Sequence, residues 1–337
     1  MRVTLKDVAR EAGCNCMAVS RVINGKQLNH VSPALQARIR RAARKLNYQS
    51  NQAARALRTG RTWSIGLVIG KISGHTQACC AHALLNEVKK YNYKLNIEIT
   101  NYAPEEEEKA LENLVNLQNE GVIYHVGLNP ESAIARRLHE MNFPLLLTSG
   151  RGNLFNTLSV NWRGGIREAF RVFHEHGHDR VGIITSESNY QRPFYEELAA
   201  EYGITVTPFL HVPLRSSIRE SIVKFLKSGI PAVFTLSNDI IQNLLAYLRE
   251  QSIAFRPDFI YPYTLPFDYI LPDSGCLGAL VDPFRERIEL QVARMIEMIE
   301  KSDGARRDII LDGYFLTPEK VREYYLRQCA DTYYDVF

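Results

Sequence analysis

Thr4-Leu5-Lys6-Asp7-Val8-Ala9-Arg10-Glu11-Ala12-Gly13, continued by Cys14-Asn15-Cys16-Met17-Ala18-Val19-Ser20-Arg21-Val22-Ile23-Asn24, reads as two short helices meeting at a glycine. Thr4 and Asp7 stand three apart, the spacing of a capping box, with an acid in place of the usual Glu or Gln. Leu5, Val8, Ala9 and Ala12 follow at i, i+3, i+4 and i+7 and form one apolar stripe. Gly13 ends that helix, because glycine takes the left-handed conformation of a tight turn without steric cost. Asn15 can cap the second helix, with Val19, Val22 and Ile23 inward and Cys16, Met17, Ser20, Arg21 and Asn24 outward. Two helices so joined, the second with a polar and basic outer face, form a helix-turn-helix.

Working outward, Ser32 caps a third helix with Pro33 in its first position. Leu35, Ile39, Ala42 and Leu46 face inward, and Arg38, Arg40, Arg41, Arg44 and Lys45 outward. The first 62 residues carry thirteen Lys and Arg against two acids, Asp7 and Glu11, a net +11; the other 275 carry 28 bases and 35 acids, a net −7. A basic head on a mildly acidic body points to a polyanion as partner, and the helix punctuation makes it nucleic acid.

Beyond residue 62 short apolar runs alternate with helical patterns, which argues parallel sheets flanked by helices. Strands are expected over 64–70, 95–100, 122–126, 145–148, 180–185 and 232–236, with a helix over about 78–93. Glu105 to Glu108 suit the positive end of the helix opened by Pro104 and need no binding role. No stretch of about 18 apolar residues occurs, and Met1 to Asp7 lack a signal peptide's apolar core, so the chain is expected in the cytoplasm with no membrane partner. Cysteines 14, 16, 79, 80, 276 and 329 form no disulfide framework and no zinc cluster; Cys79 and Cys80 are expected on a helix, one inward and one outward. His174, His176 and His178 straddle the helix-breaking Gly177, and no metal or other cofactor is expected. With neither a Gly-x-Ser-x-Gly elbow nor a phosphate loop present, an enzyme is not expected either.

Val3 to Gly13 and Ala18-Val19-Ser20-Arg21-Val22-Ile23-Asn24-Gly25 closely resemble the head of lactose-repressor-type (LacI/GalR family) transcription regulators. Val31-Ser32, Leu46-Asn47-Tyr48 and the run from Asn51 to Thr62 extend the match. The resemblance implies a helix-turn-helix domain over 1–48, a hinge helix and linker over 49–62, and an effector-binding and dimerisation body over 63–337. That body would be a periplasmic-binding-protein-like pair of α/β lobes, the second starting near residue 160. Phe173 to Ile184, with its Gly-His turn, and Val233 to Asp239, a strand ending in Asn-Asp, are similar to family segments.

The family implies a homodimer on a pseudo-palindromic double-stranded DNA operator, in most members a repressor. It assigns DNA contacts to Thr4, Cys16, Met17, Ser20, Arg21, Asn24, Ser32, Tyr48, Asn51, Ala54 and Leu57. Arg21 can donate a bidentate pair to guanine O6 and N7, Ser20 and Asn24 suit phosphate, and Cys16 and Met17 suit thymine methyls or shape. Asn51 to Leu57 is too short to hold an isolated helix, so it would fold on the minor groove with Leu57 as wedge. For a small-molecule effector the family's strand ends offer Ser73, Asn161, Arg192 and Asn238, with Gln191 fitting the arginine's register almost as well.

The effector region departs from the pattern. Gly70-Lys71-Ile72-Ser73-Gly74-His75-Thr76-Gln77 keeps only the serine of the family's Pro-Asp-x-Ser-Asn-Pro, Ser149-Gly150-Arg151 lacks an acid, and Tyr261 to Asp268 replaces a Gly-x-Asp-Asp loop. Missing carboxylates weaken a neutral-sugar assignment, and Lys71 with Arg192 tilts the expectation toward an anionic ligand. The alternative is a degenerate cleft answering to a protein partner or to no small ligand.

Overall fold

The computed structural model describes residues 3–23, 25, 28–48, 56, 59–72, 75–125, 128–148, 154–185, 192–212, 217–262, 275–301, 306–321 and 323–324. They form two compact units, 1–62 and 63–337.

The first unit holds α1 (Leu5–Ala12), α2 (Cys16–Ile23) and α3 (Pro33–Lys45). Both halves of the capping box form: the Asp7 amide donates to Thr4 Oγ1 at 3.4 Å, and the Thr4 amide donates to Asp7 Oδ2 at 2.9 Å. Gly13 sits at φ +59° and returns its N–H to the Ala9 and Arg10 carbonyls. Asn15 Oδ1 accepts the Ala18 N–H at 2.8 Å and so starts α2. Val8, Ala9, Ala12, Val19, Val22, Val31, Ile39, Ala42 and Ala43 close one small core. Polar ties brace it from outside: Gln36 donates to the Leu28 and Val31 carbonyls, and Lys45 meets Glu11 at 2.6 Å.

The second unit contains two six-stranded sheets. The first comprises β1 (Ser64–Ile69), β2 (Lys94–Ile99), β3 (Gly121–Tyr124), β4 (Leu145–Leu147), β5 (Asn156–Asn161) and, from far along the chain, β11 (Asp308–Asp312), in the order β11-β5-β4-β3-β1-β2 and all parallel. Crossovers over this sheet include α4 (His75–Lys90), α5 (Pro104–Asn116) and α6 (Ala133–Glu140). Because helices cover both faces, β1 is buried along its whole length and reads as a continuous apolar run rather than an alternation.

The second sheet comprises β6 (Arg180–Thr185), β7 (Thr205–His211), β8 (Ala232–Phe234), β9 (Asp258–Pro262), β10 (Cys276–Val281) and β12 (Tyr314–Leu316) in the order β12-β10-β9-β8-β6-β7. It is parallel except for β12 against β10. Its crossovers include α7 (Arg163–Glu175), α8 (Arg192–Ala200), α9 (Ile218–Lys227) and α10 (Asn238–Glu250).

Three crossings join the sheets: β5 into α7, β10 into α11 (Phe284–Lys301), and β11 into β12. The sequence reading placed the second lobe near residue 160 and saw only that first crossing. Residue 160 still lies on β5, and both α11 and β11 return to the first lobe, where α11 packs on α4, β3 and β4. That packing corrects the expectation for Cys79 and Cys80. Both are buried, at 2% and 5% exposure, because α4 is covered by α11 as well as by its own sheet. Trp63 opens the unit, its backbone N–H donating to Glu120 Oε1 at 2.7 Å and its indole edge-on to Tyr93. No helix among the described residues is long and apolar enough to cross a membrane.

Candidate nucleic-acid interface and effector cleft

In the head, the residues that pack are those at the inward helical positions, which leaves one face of α2 to the solvent. Val19 and Val22 are buried, Ile23 is partly so, and Met17 is 63% exposed. Cys16 is exposed beside it, and Ser20 and Arg21 are half-buried on the same helix. An unbranched thioether this exposed has no packing role to fill, since the inner face is complete without it. Thr4 and Ser32 are also exposed, but each already accepts a backbone N–H as a helix cap, from Asp7 and from Leu35 at 3.4 Å. Tyr48 is half-buried against the head's core just past α3. Asn24, Asn51, Ala54 and Leu57 lie outside the described residues.

In the body, open parallel sheets bind ligands outside the carboxyl ends of their strands where the strand order reverses. For the first sheet that point lies between β1 and β3, hence at Gly70, Lys71 and His125. For the second it lies between β6 and β8, hence beyond Thr185 and at Leu236 to Asn238.

At the first point the Tyr102 ring lies against Gly70, where a Cβ would come within 2.1 Å of it, so only glycine fits. Gln77 Nε2 donates to Tyr102 Oη at 2.5 Å while Gln77 Oε1 accepts the Lys71 N–H at 2.9 Å, and the Lys71 ammonium stands 5.8 Å from the ring centroid. Burial raises the Tyr102 phenol, and Asp239 of the second lobe, at the start of α10, raises it further. Nearby His125 hydrogen-bonds Gln291 Oε1 of α11 at 3.4 Å, which assigns the proton to its Nε2. Burial and the neighbouring Arg287 push His125 down to about 3, so the ring is neutral. Arg287 in turn pairs with Asp282 and reaches Cys80 Sγ at 3.5 Å; burial disfavours its charge, but Asp282 outweighs that and holds it protonated. Burial also raises Cys80, a thiol rather than a thiolate.

The four residues named for the effector fare differently. Ser73 lies outside the described residues. Asn161 ends β5 at a crossing, donating to Asp312 Oδ1 at 3.0 Å and accepting the Arg163 N–H at 3.2 Å. Its side chain holds crossing strands together. Arg192 opens α8 with its guanidinium on Glu196 at 2.8 Å and 5.7 Å from the Phe209 ring, so its charge is already matched. Asn238 is the first residue of α10, at the second sheet's reversal point. Sequence reasoning passed over Tyr102, Gln77, His125 and Arg287. His125 follows directly on β3 and Tyr102 stands three residues past β2, and those positions were the available signal.

The three histidines around Gly177 go separate ways: His178 Nε2 to Asp258 Oδ2 at 2.8 Å, His176 Nδ1 to the Val172 carbonyl at 2.8 Å, and His174 toward the Tyr202 ring. Glu107, from the acidic run, accepts from the Tyr124 hydroxyl at 3.2 Å.

A sequence model of bacterial regulatory proteins of the lacI family matches residues 4–51. Catabolite control protein A of Staphylococcus xylosus is 30% identical over 260 residues, covering 75% of this chain and 76% of that protein. A solved lac repressor dimer bound to operator and the anti-inducer ONPF aligns with a TM-score of 0.77 at 18% identity, over 94% of this chain and 98% of that one. A complex of the transcriptional regulator CelR with cellobiose aligns with a TM-score of 0.63 at 18% identity, over 94% and 99%. At these identities the solved structures show a common fold: a helix-turn-helix head and a two-lobed α/β body.

Proposed function

The chain belongs to the lacI family of bacterial regulatory proteins, and from that premise we propose how it regulates: as a dimer whose heads read a pseudo-palindromic operator, modulated by a small effector between the lobes of the body. It is a DNA-binding transcription regulator. The observation that carries the DNA-reading assignment is the α2 surface, where Cys16 and Met17 stand exposed once the head's core is complete, on a unit of net charge +11. Cys16, Met17 and Arg21 are assigned to base edges, Ser20 and Asn24 to phosphate, and Thr4, Ser32, Tyr48, Asn51 and Ala54 to supporting contacts, with Leu57 the minor-groove wedge.

Affinity should be largely electrostatic, each neutralised phosphate adding about −0.9 to the slope of log K against log salt. A duplex selected from a random pool by the full-length protein provides the probe. Arg21→Ala should cost about 1–3 kcal/mol and relax preference at one symmetric base position. A flat salt response, or an unchanged motif after Arg21→Ala, removes the assignment.

The lac repressor structure holds ONPF and the CelR structure holds cellobiose. For this chain the effector is assigned to the two reversal points, Tyr102, Gln77, Lys71 and His125 at the first and Asn238 with Asp239 at the second, Asp239 being near enough to Tyr102 to act on its phenol. An anionic effector loses support, because Arg192 already has Glu196 as counter-ion. The same pairing, with Asn161 committed to Asp312, favours a second reading in which the cleft serves no small ligand. Thermal shift of the body against a metabolite panel separates the two, since a ligand at 100 times its Kd adds roughly 2.7 kcal/mol.

A further inference from the structure

Cys16 is exposed on the first turn of α2, beside Met17, on the surface assigned to DNA. Cys14 stands two residues earlier, across the capping residue Asn15, and is partly buried against the head's core. Burial raises the Cys14 thiol, Arg38, whose guanidinium donates to the Gly13 carbonyl at 3.4 Å, partly offsets that, and neighbouring Cys16 adds to it. The other described cysteines are withdrawn from solvent in the body: Cys79 and Cys80 are buried, and Cys276 is half-buried with its thiol on the Gly278 carbonyl at 3.4 Å. Cys16 is therefore the exposed thiol among the described residues, and it sits where nothing bulky can be tolerated if DNA is to bind.

We propose that Cys14 and Cys16 form a thiol switch in the DNA-reading helix: a small anionic disulfide of the glutathione-disulfide class thiolates Cys16, Cys14 resolves the adduct, and both oxidised forms release DNA. This rests on the reading that α2 enters the groove.

The chemistry balances. The Cys16 thiolate, its proton lost to solvent, attacks one sulfur of the small disulfide; that S–S bond breaks, a bond from Cys16 to the small thiol forms, and the other small thiolate leaves and takes up a proton. The Cys14 thiolate then attacks the Cys16 sulfur, expels the second small thiol and closes an intramolecular disulfide. Two protein thiols are oxidised and one disulfide is reduced to two thiols, so no other oxidant is needed.

Charge favours this pair, and their place either side of the α2 cap gives the oxidised forms their effect. The head's +11 concentrates an anionic oxidant as it concentrates phosphates. The first adduct then sets a bulky anion against the DNA backbone. The closed disulfide bridges the two neighbours of Asn15, the residue that caps α2 through Ala18, and so strains the start of the reading helix. Zinc capture is the poorer use of these thiols, because a structural site takes four ligands and no group of three candidate ligands occurs among the described residues.

The test uses the full-length protein and the duplex it selects when reduced, with intact-mass and peptide mapping beside fluorescence anisotropy. Glutathione disulfide should lower affinity about 10-fold or more, the size of one lost bidentate base contact, and dithiothreitol should restore it. Bound duplex should slow alkylation of Cys16. Cys14→Ser should stop at the single mixed disulfide on Cys16, and Cys16→Ser, whatever its starting affinity, should lose no more on oxidant treatment. Cys329→Ser should behave as the parent does. Unchanged affinity of Cys14→Ser with its Cys16 fully thiolated, an adduct confined to Cys329, or a parent Cys16 that is neither thiolated nor bridged to Cys14 overturns the switch. A reduced protein that selects no duplex overturns the DNA-reading assignment as well.

Discussion

The head closes on small aliphatic side chains and leaves its polar groups to caps and outward ties, whereas the body gathers Arg287, Asp282, Gln291 and His125 where β3 of the first sheet ends and β10 crosses into α11. Gln291 and the Arg287–Asp282 pair are almost wholly withdrawn from solvent, and Gln291 Nε2 has no hydrogen-bond partner among the described residues. A core of the first kind depends on a handful of methyl groups. A site of the second kind depends on charges that are costly to leave alone, and such arrangements are kept where a fold has work to do at a strand end. The difference can be broken from either side.

The largest effect is expected at the buried pair. Arg287→Met leaves the Asp282 carboxylate inside the protein without its guanidinium, and removing one partner of such a pair costs about 3–5 kcal/mol. Chemical denaturation of the body reads this directly. The double variant Arg287→Met with Asp282→Leu should recover most of the loss, because no isolated charge is left behind. A single variant as stable as the parent would show that the carboxylate reaches water and that the contrast with the head is false.

In the head a cavity should suffice. Ile39 is fully buried at the middle of α3, and truncating such a side chain to alanine costs about 2–5 kcal/mol. A core of this size supplies only about 3–5 kcal/mol in all, so Ile39→Ala should unfold the head and abolish DNA binding. The body, a separate compact unit, should keep its melting transition. A variant that still binds its duplex with parental affinity would mean that DNA or the second unit supplies stability the isolated core lacks.

Legibility in the sequence follows the same contrast. Thr4, Asp7, Gly13, Asn15, Ser32 and Pro33 act within a few residues of themselves, and α1, α2 and α3 begin, and α1 ends, where those residues stand. Strands β1, β2, β3, β4, β6 and β8 were legible as well, most of them because a doubly covered parallel strand is a continuous apolar run, whereas β5, β7, β9, β10, β11 and β12 were not marked as strands. The helix expected over 78–93 runs instead from 75 to 90. What periodicity could not show was the return of α11 and β11 to the first lobe, which separates Arg287 from Cys80 by 207 residues of chain and sets a 3.5 Å contact between them. It likewise could not show that Asn161 and Arg192 are occupied by Asp312 and Glu196, because those partners are fixed by tertiary contact and by a rotamer choice. Local chemistry writes itself into neighbouring letters, and cleft chemistry does not.

The smallest expected effect sharpens the comparison at the head's first turn. Thr4 Oγ1 donates to Asp7 Oδ2 at 2.7 Å, the Thr4 amide donates to the same oxygen, and Arg10 stands 3.1 Å away on Oδ1. The Thr4 bonds, through side chain and backbone, hold the Asp7 carboxyl below its ordinary value. A carboxylate depressed on folding stabilises the folded head fully above its unfolded pKa of about 3.9 and loses that contribution as pH falls through its folded value. Head stability should therefore be level near neutrality and decline on acidification below about pH 4. Asp7→Asn should flatten that decline, and Thr4→Ala should both flatten it and lower stability at neutral pH by about 0.5–2 kcal/mol for the lost cap. An acid limb in the head that is the same with and without Asp7 would place the titrating group elsewhere and reduce the capping box to a neutral hydrogen bond.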